Sequence, residues 1–449
     1  MSQKTRVAIV GAGISGISCA YALRNEPDLD ITLFEKGSYI GGHSNTIAFT
    51  PFQQQHSFPI DTGFLVFNEW TYPGIIAFFK ELNVPIAKSE MSFSVSVPKK
   101  NGTRLEWAGD NFNTIFAQRK NLFNRRFLSM VRDILRFNRM GKKIALQNLD
   151  PSQAQPLESV AEFLDRMKLG AAFRDWYLLP MIGSIWSCSI SEMLNFPIHT
   201  LMRFCHNHGL LNVLNRPQWL TVQGGSKEYV TRAVNALKTA GVTIRHDEVL
   251  ACVRAPSSQF PNITLRLNSD EDVLFDKVIF ACHSDEALAI LSEPSSQEQE
   301  ILGAIAYKNN LAFVHEDRQL LPNLPLVWAA WNYTCETFNA KGLDESSGVC
   351  VHYLINKLQP IPVLASETPV IVSLNPQVLP SPDKTHTKIE YSHPIFNQAA
   401  ILAQQKLPLI QGLNHTYFCG AWTKYGFHED GFQSGQLVAQ ELIQSLMSI

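Results

Sequence analysis

"RVAIVGAGISGISCAYALRNEPDLDITLFEKGSYIGGH", residues 6–43, sets an apolar strand, a glycine loop, a helix, a second strand and a further glycine pair in that order. Each part has a mechanical reason. Gly11 permits the tight turn out of the strand, Gly13 lets a diphosphate approach the backbone, and Gly16 lets the helix pack closely on the sheet. Ile14 and Ser15 open that helix, whose N-terminal amides face the anion. "DITLFE" ends at Glu35, followed by Lys36, about 20 residues beyond the loop, where an acid accepts hydrogen bonds from a ribose and disfavours a 2′-phosphate. The pattern predicts a Rossmann-like dinucleotide site.

Working outward, the 449 residues allow two or three domains, and a composition 45% hydrophobic and 17% charged belongs to a globular protein. A formal net charge of −2 argues against a dedicated nucleic-acid binder. Eight cysteines (19, 188, 205, 252, 282, 335, 350 and 419) form no C-x-x-C pair, so reduced core thiols are expected, with no metal site. The chain reaches the strand-like "TRVAIV" within five residues, so no secretory leader is expected and the predicted location is the cytoplasm. No P-loop or Ser-His-Asp order supports a kinase or hydrolase.

Gly41 and Gly42, six and seven residues after Glu35, form the second glycine pair found where an FAD enzyme brings another loop to the diphosphate. Here the sequence resembles the amine oxidase-like flavoprotein superfamily. Many of its members carry Arg after the pair, whereas this chain has His43, Ser44 and Asn45. "IDTGFLVFN", Ile60 to Asn68, is similar to the next superfamily segment, which implies that Thr62, Gly63 and Phe64 lie along the flavin. The resemblance continues in order through "LTVQGGSKEYVTRAVNAL", "GVTIRHDEVLACVRA", where Val249 would hold the adenine, and "FDKVIFACHSDEAL", where Cys282 and His283 stand in place of a frequent Thr-Pro. It ends on "YFCGAWTKYGFHEDGFQSG", implying cofactor contacts from Gly420, Asp430, Gly431, Phe432 and Ser434, with a helix beginning near Gly431.

The fold so implied is α/β: a Rossmann-like FAD-binding domain of the two-dinucleotide-binding type from 1–75, 216–291 and 409–449. A discontinuous α+β substrate domain takes 76–215 and 292–408. Phrases such as "DTGFLVFNEWTYP" and "YLLPMIGSIWS" resemble a subgroup of predicted NAD/FAD-binding proteins associated with acyl-chain modification. That resemblance implies an FAD-dependent desaturase or double-bond isomerase acting on a fatty acyl chain or phospholipid. A flavin amine oxidase releasing peroxide, and a non-catalytic flavin-binding partner of a lipid enzyme, stay open.

Beside the flavin, a protein positions the substrate bond and excludes competing reactions. Segments expected there are "GSIWSCSISEMLNFP", "HNHGLL", "WAAWNYT" and "TKYGFH", mostly aromatic or apolar, which points to a large hydrophobic substrate. His206, His208 and His428 compete as acid or base. His428 and Tyr425 are the favoured catalytic candidates, because the resemblance lays their segment against the flavin.

"QRKNLFNRRFLSMVRDILRFNRMGKK", 118–143, carries nine Lys or Arg against Asp133 alone. On a helix, Arg125, Arg132, Arg136, Arg139 and Lys143 would share a face, with Phe127, Met130, Val131, Ile134 and Leu135 elsewhere. Two readings stay open: peripheral docking to anionic lipid at the inner face of a membrane, or the solvated face of a domain helix.

Overall fold

The computed structural model describes residues 4–99, 101–147, 158–186, 189–212, 215–255, 263–336, 338–339, 342–343, 350–362 and 367–447. Cys188, and with it part of "GSIWSCSISEMLNFP", lies outside them. The other seven cysteines are free thiols.

Strand Thr5–Val10 is the middle of a five-stranded parallel sheet in the order 243–246, 29–35, 5–10, 277–280, 416–418. Both faces are covered, so the strand reads as an unbroken apolar run. Val7 and Ile9 enter one core, with helices Ile14–Leu23, Lys227–Thr239 and His428–Met447. Ala8 and Val10 enter a second core, with the antiparallel strands Val249–Arg254, Ile263–Leu267 and Asp272–Phe275. The register aligns Val10 with Phe34 and Phe280, and Phe280 with Phe418, so the four strands end level with one another. Such a shared carboxyl edge is where open α/β sheets bind ligands.

A seven-stranded mixed sheet stands beside it in the order 385–394, 307–315, 371–374, 350–354, 331–334, 93–98, 104–108. Two stretches that are distant in sequence thus build one layer. Strand Trp219–Val222 pairs with Phe67–Asn68 and Ile86–Ser89 in a three-stranded sheet. All four of its residues are buried, and the helix after it, Lys227–Thr239, packs on helix Ile14–Leu23. Helices Ser296–Gly303 and Gln398–Lys406, from the stretch 292–408, fold back through Ile301, Leu302, Ala400 and Ala403 into the core under the parallel sheet.

Residues Arg125–Ala145 form a 21-residue helix capped by the Asn124 side chain, which accepts from the amides of Arg126 and Phe127. Phe127 and Met130 are buried as expected, but Arg136 turns from the expected basic face to Asp133, 3.0 Å away, and to the carbonyl of Met167. Buried Asp133 demands a counter-ion, and Arg136 lies three residues on. Leu135, expected with the apolar group, is exposed among the arginines. No helix of the described residues is long and apolar enough to cross a membrane.

Six imidazoles are held neutral by burial. Those of His208, His315 and His393 are pushed down to about 4, those of His352 and His428 to about 3, and that of His43 well below its ordinary value. Burial pushes the carboxyls of Asp61 and Asp430 up, to about 6. Unfolding lets each histidine take up a proton below about pH 6.5, so histidine stabilisation is present above that pH and lost as pH falls toward 4. The two acids work the opposite way between about pH 4 and 6, but the lowered histidines outnumber the raised acids, since burial also lowers His199, His283 and His415. Stability is therefore expected to fall as pH drops below about 6.5. Urea midpoints at pH 7.5, 6.5 and 5.5 check this; a flat profile contradicts it.

Candidate functional site

At the shared strand edge lies a cavity of about 760 Å³, and its wall is built first from glycine. Gly11 takes φ +105 where the chain leaves the central strand, its amide donating to the carbonyl of Phe34. The first turn of helix Ile14–Leu23 has no side-chain cap and no acid, so its amides are free for an anion. At Gly13 nothing of the protein lies within 4 Å of where a Cβ would stand. The second glycine pair lies against the first loop: the Gly41 amide donates to Ala12, and a Cβ on Gly42 would stand 3.2 Å from the Gly13 Cα.

Glu35 accepts from the amides of Ala12, at 3.0 Å, and Gly37, at 2.8 Å, which fixes its carboxylate on the wall. Lys36 pairs with Glu286 at 2.5 Å. The amides of Thr62 and Phe64 are spent on the carbonyls of Asn45 and His43, leaving Gly63 between them. His43 stacks on Tyr391 with centroids 5.0 Å apart and lies 5.1 Å from His393, while its buried Nε2 has no partner.

Of the residues expected to hold a cofactor, Gly11, Gly13, Ile14, Ser15, Glu35, Lys36, Gly41, Gly42, His43, Thr62, Gly63, Phe64, Val249, Cys282 and Gly420 line this cavity together. Gly16, Ser44, Asp430, Gly431, Phe432 and Ser434 stand behind the wall. A Cβ on Gly16 would meet the Gly11 carbonyl at 1.9 Å, so Gly16 serves helix packing. Gly431 does the same against Ile14 and Ser15, and Phe432 packs on Phe78. The Ser434 hydroxyl accepts from the Gly420 amide at 2.9 Å and so holds the turn in place.

The last helix starts at His428, three residues before the expected Gly431. Asp430 accounts for the difference: its carboxylate accepts from the amides of Phe427 at 3.0 Å and Tyr425 at 3.2 Å, closing the first turn early. Glu429 accepts from the amides of Gly74 and Ile75 and caps helix Pro73–Glu81.

The three candidate histidines separate clearly. His428 lines the cavity and stacks on Phe64 at 3.8 Å, but its Nε2 is engaged by Tyr229 at 2.7 Å and Ser44 at 3.2 Å. His206 is not on the wall. His208 is on the wall, stacked 3.9 Å from Phe204; its Nδ1 donates to the Phe204 carbonyl at 3.0 Å, so Nε2 carries a lone pair and no protein partner. Tyr425 also lines the cavity, its phenol without a hydrogen-bond partner and its carbonyl accepting from Trp186 Nε1.

Phe427 lies on the wall with the "TKYGFH" segment expected there, whereas Tyr391 and His393 are wall residues that sequence reasoning missed. The alternation of Ile389, Tyr391 and His393 along strand Thr385–Pro394 was the available signal, masked by that strand's polar composition. Trp331 reaches the wall, whereas Trp328 of the same stretch packs with Leu321 and Leu354.

The glycine cradle, the uncapped helix terminus, the fixed acid and the orphaned His43 nitrogen fit a dinucleotide, for which Gly13 would admit the diphosphate and Glu35 would accept from a ribose.

Residues 14–443 match the model of a family described as flavin-containing amine oxidoreductases. No curated protein sequence matches the chain. Among solved structures it is similar to a wild-type putrescine oxidase bound to putrescine (TM-score 0.68, 15% identity, covering 98% of this chain and 99% of that one). It is also similar to a fatty acid isomerase from P. acnes that produces CLA (0.66, 12%, 98% and 99%) and to cyclohexylamine oxidase from Brevibacterium oxydans IH-35A (0.66, 14%, 99% and 100%). At these identities the likeness establishes the fold.

Because the Gly13 Cβ would enter open cavity, Gly13→Val should fold like the parent chain yet bind FAD about 5- to 150-fold more weakly, the equivalent of a 1–3 kcal/mol overpacking cost. A thermal melt of the apoprotein and an FAD titration check the two halves separately.

Proposed function

The chain belongs to the flavin-containing amine oxidoreductase family and is an FAD-dependent oxidoreductase, and from that premise we propose that its substrate is an apolar acyl chain, desaturated or isomerised at one bond. One observation carries the reading: away from the dinucleotide loops the described wall is apolar and aromatic, and its one carboxylate, Glu390, is exposed to solvent. Met91, Ile185, Trp186, Phe204, Leu210, Trp219, Trp331, Val372 and Leu374 line it. Among all lining residues Lys36 is the one Lys or Arg, and it is paired with Glu286 beside the dinucleotide loops. A polar amino acid substrate would meet no guanidinium clamp here. The fatty acid isomerase among the similar structures supports the direction of the proposal.

Bound FAD supplies the two-electron acceptor. The protein's own part is to exclude water, align the chain and take the proton that desaturation releases. The apolar wall does the first two. For the third, His208 is better placed than His428, since its Nε2 is free whereas that of His428 is spent on Tyr229 and Ser44. Burial holds the His208 imidazole down to about 4, so at neutral pH it is unprotonated, with an open Nε2 lone pair that is only weakly basic. His428 positions Phe64 by stacking, and Tyr425 offers a phenol to the substrate's polar end.

Anaerobic mixing of the holoenzyme with micelle-dispersed fatty acid should bleach the flavin, or change the double-bond position without lasting bleaching. Bleaching by putrescine or cyclohexylamine with no response to fatty acid would overturn the acyl reading. His208→Gln should slow turnover roughly 10²- to 10⁴-fold with FAD content unchanged. A wild-type rate in that variant removes His208 from the proton step.

A further inference from the structure

The solvent face of helix Arg125–Ala145 carries a stripe that the proposed reaction does not use. Arg125, Leu128, Arg132, Leu135, Arg139 and Lys142 follow one another at steps of three and four residues, and all are exposed. They therefore form one line along the helix, about 26 Å long at 1.5 Å per residue. Leu146, 70% exposed, continues it beyond the helix, and Phe123, 88% exposed, stands just before the start. Leucines alternating with arginines are the opposite of what a merely solvated face requires, since each exposed leucine costs hydration that a polar residue would avoid.

Apart from Arg132, which reaches Asp133, the stripe's charges are left without counter-ions. Among the described residues Arg125, Arg139 and Lys142 have no hydrogen-bond or ion-pair partner in the chain. By contrast Arg104, Arg166, Arg245, Arg254 and Arg266 each pair with a carboxylate. The helix's one acid, Asp133, is buried and taken up by Arg132, Arg136 and the Gly170 amide, so it cannot offset the stripe. A line of unpaired cations interleaved with exposed leucines complements an anionic surface with an apolar interior, and a phospholipid bilayer has both.

Its place in the fold adds a reason. This helix packs on helix Ile198–Asn207, whose Phe204, with His208 directly after it, lines the cavity. The two helices touch closely, since a Cβ on Gly141 would stand 2.6 Å from the Met202 sulfur. The stripe thus lies one helix away from the apolar wall.

We propose that the exposed stripe Arg125–Leu146 docks the protein on anionic phospholipid, with Leu128, Leu135, Leu146 and Phe123 entering the interface and the cations meeting the headgroup phosphates. This goes beyond the acyl reading and stands apart from it. The test is co-sedimentation of the full-length holoprotein with phosphatidylglycerol-containing vesicles and with pure phosphatidylcholine vesicles, at low and high salt. Binding to the anionic vesicles only, weakened by salt, is expected. R125Q/R139Q/K142Q should partition roughly 100-fold more weakly, at about 1 kcal/mol per cation near the surface. L128S/L135S should lose the salt-resistant part of the binding. FAD content and flavin bleaching by micelle-dispersed substrate should stay at the parent level in both variants, which shows that they fold. Equal binding to both vesicle types, no binding to either, or unchanged binding by the charge variant would overturn the proposal. Failure of the acyl reading would show differently, as flavin that no fatty acid bleaches in a protein that still sediments.

Discussion

The structure depends on the direct backbone contact between its first helix and its last. A Cβ on Gly435 would stand 2.2 Å from the Ser15 carbonyl, and one on Gly431 2.8 Å from Ile14, so neither position admits a side chain without moving a helix. Ser18 fastens the contact by donating to the Phe432 carbonyl at 3.0 Å, and Gln436 returns a bond to the Ser18 carbonyl. Two segments more than 400 residues apart are thereby held at the same strand edge. The helix terminus that receives the diphosphate and the loop carrying Tyr425, Phe427 and His428 are placed by one interface.

A second constraint ties in the rest. Asp61, 1% exposed, accepts from Thr46 at 2.5 Å, from the amide and hydroxyl of Ser226, and from Gln359 at 2.8 Å. One carboxylate thus joins the hairpin of strands Thr46–Phe49 and Phe58–Asp61, the start of helix Lys227–Thr239, and the stretch 350–362. Burial pushes its carboxyl up to about 6 and these donors pull it back. The donors matter more than the burial for the fold, because removing one leaves a buried charge short of a partner. Thr62, Gly63 and Phe64 follow directly, so the clamp also sets where that part of the wall runs.

Residues 6–43 made the glycine cradle legible, because each glycine there answers a local need that spacing alone displays. The last stretch was legible as a wall segment but not in its division of labour. Gly431, Phe432 and Ser434 look like cofactor residues in sequence, and only their contacts with Ile14, Phe78 and Gly420 show that they hold the wall from behind. The histidines were legible only as candidates. Telling His208 from His428 needs to know which ring nitrogen the Phe204 carbonyl or the Tyr229 hydroxyl occupies; Phe204 is one helical turn before His208, but Tyr229 is remote from His428 in sequence.

The distribution of charge follows from one cause. Desolvation removes the proton from each imidazole on the wall: burial lowers His43, His208, His283, His393 and His428 alike. The wall carboxylates Glu35, Asp247, Glu248 and Glu286 lie with the dinucleotide loops, and Glu390 is exposed. The apolar part of the cavity is therefore electrically silent, and an ammonium entering it would meet the same penalty that neutralises the histidines. An acyl chain meets no such penalty. Its charged headgroup must then stay outside, and the unpaired cations of the chain stand on the outer surface, one helix away from that wall.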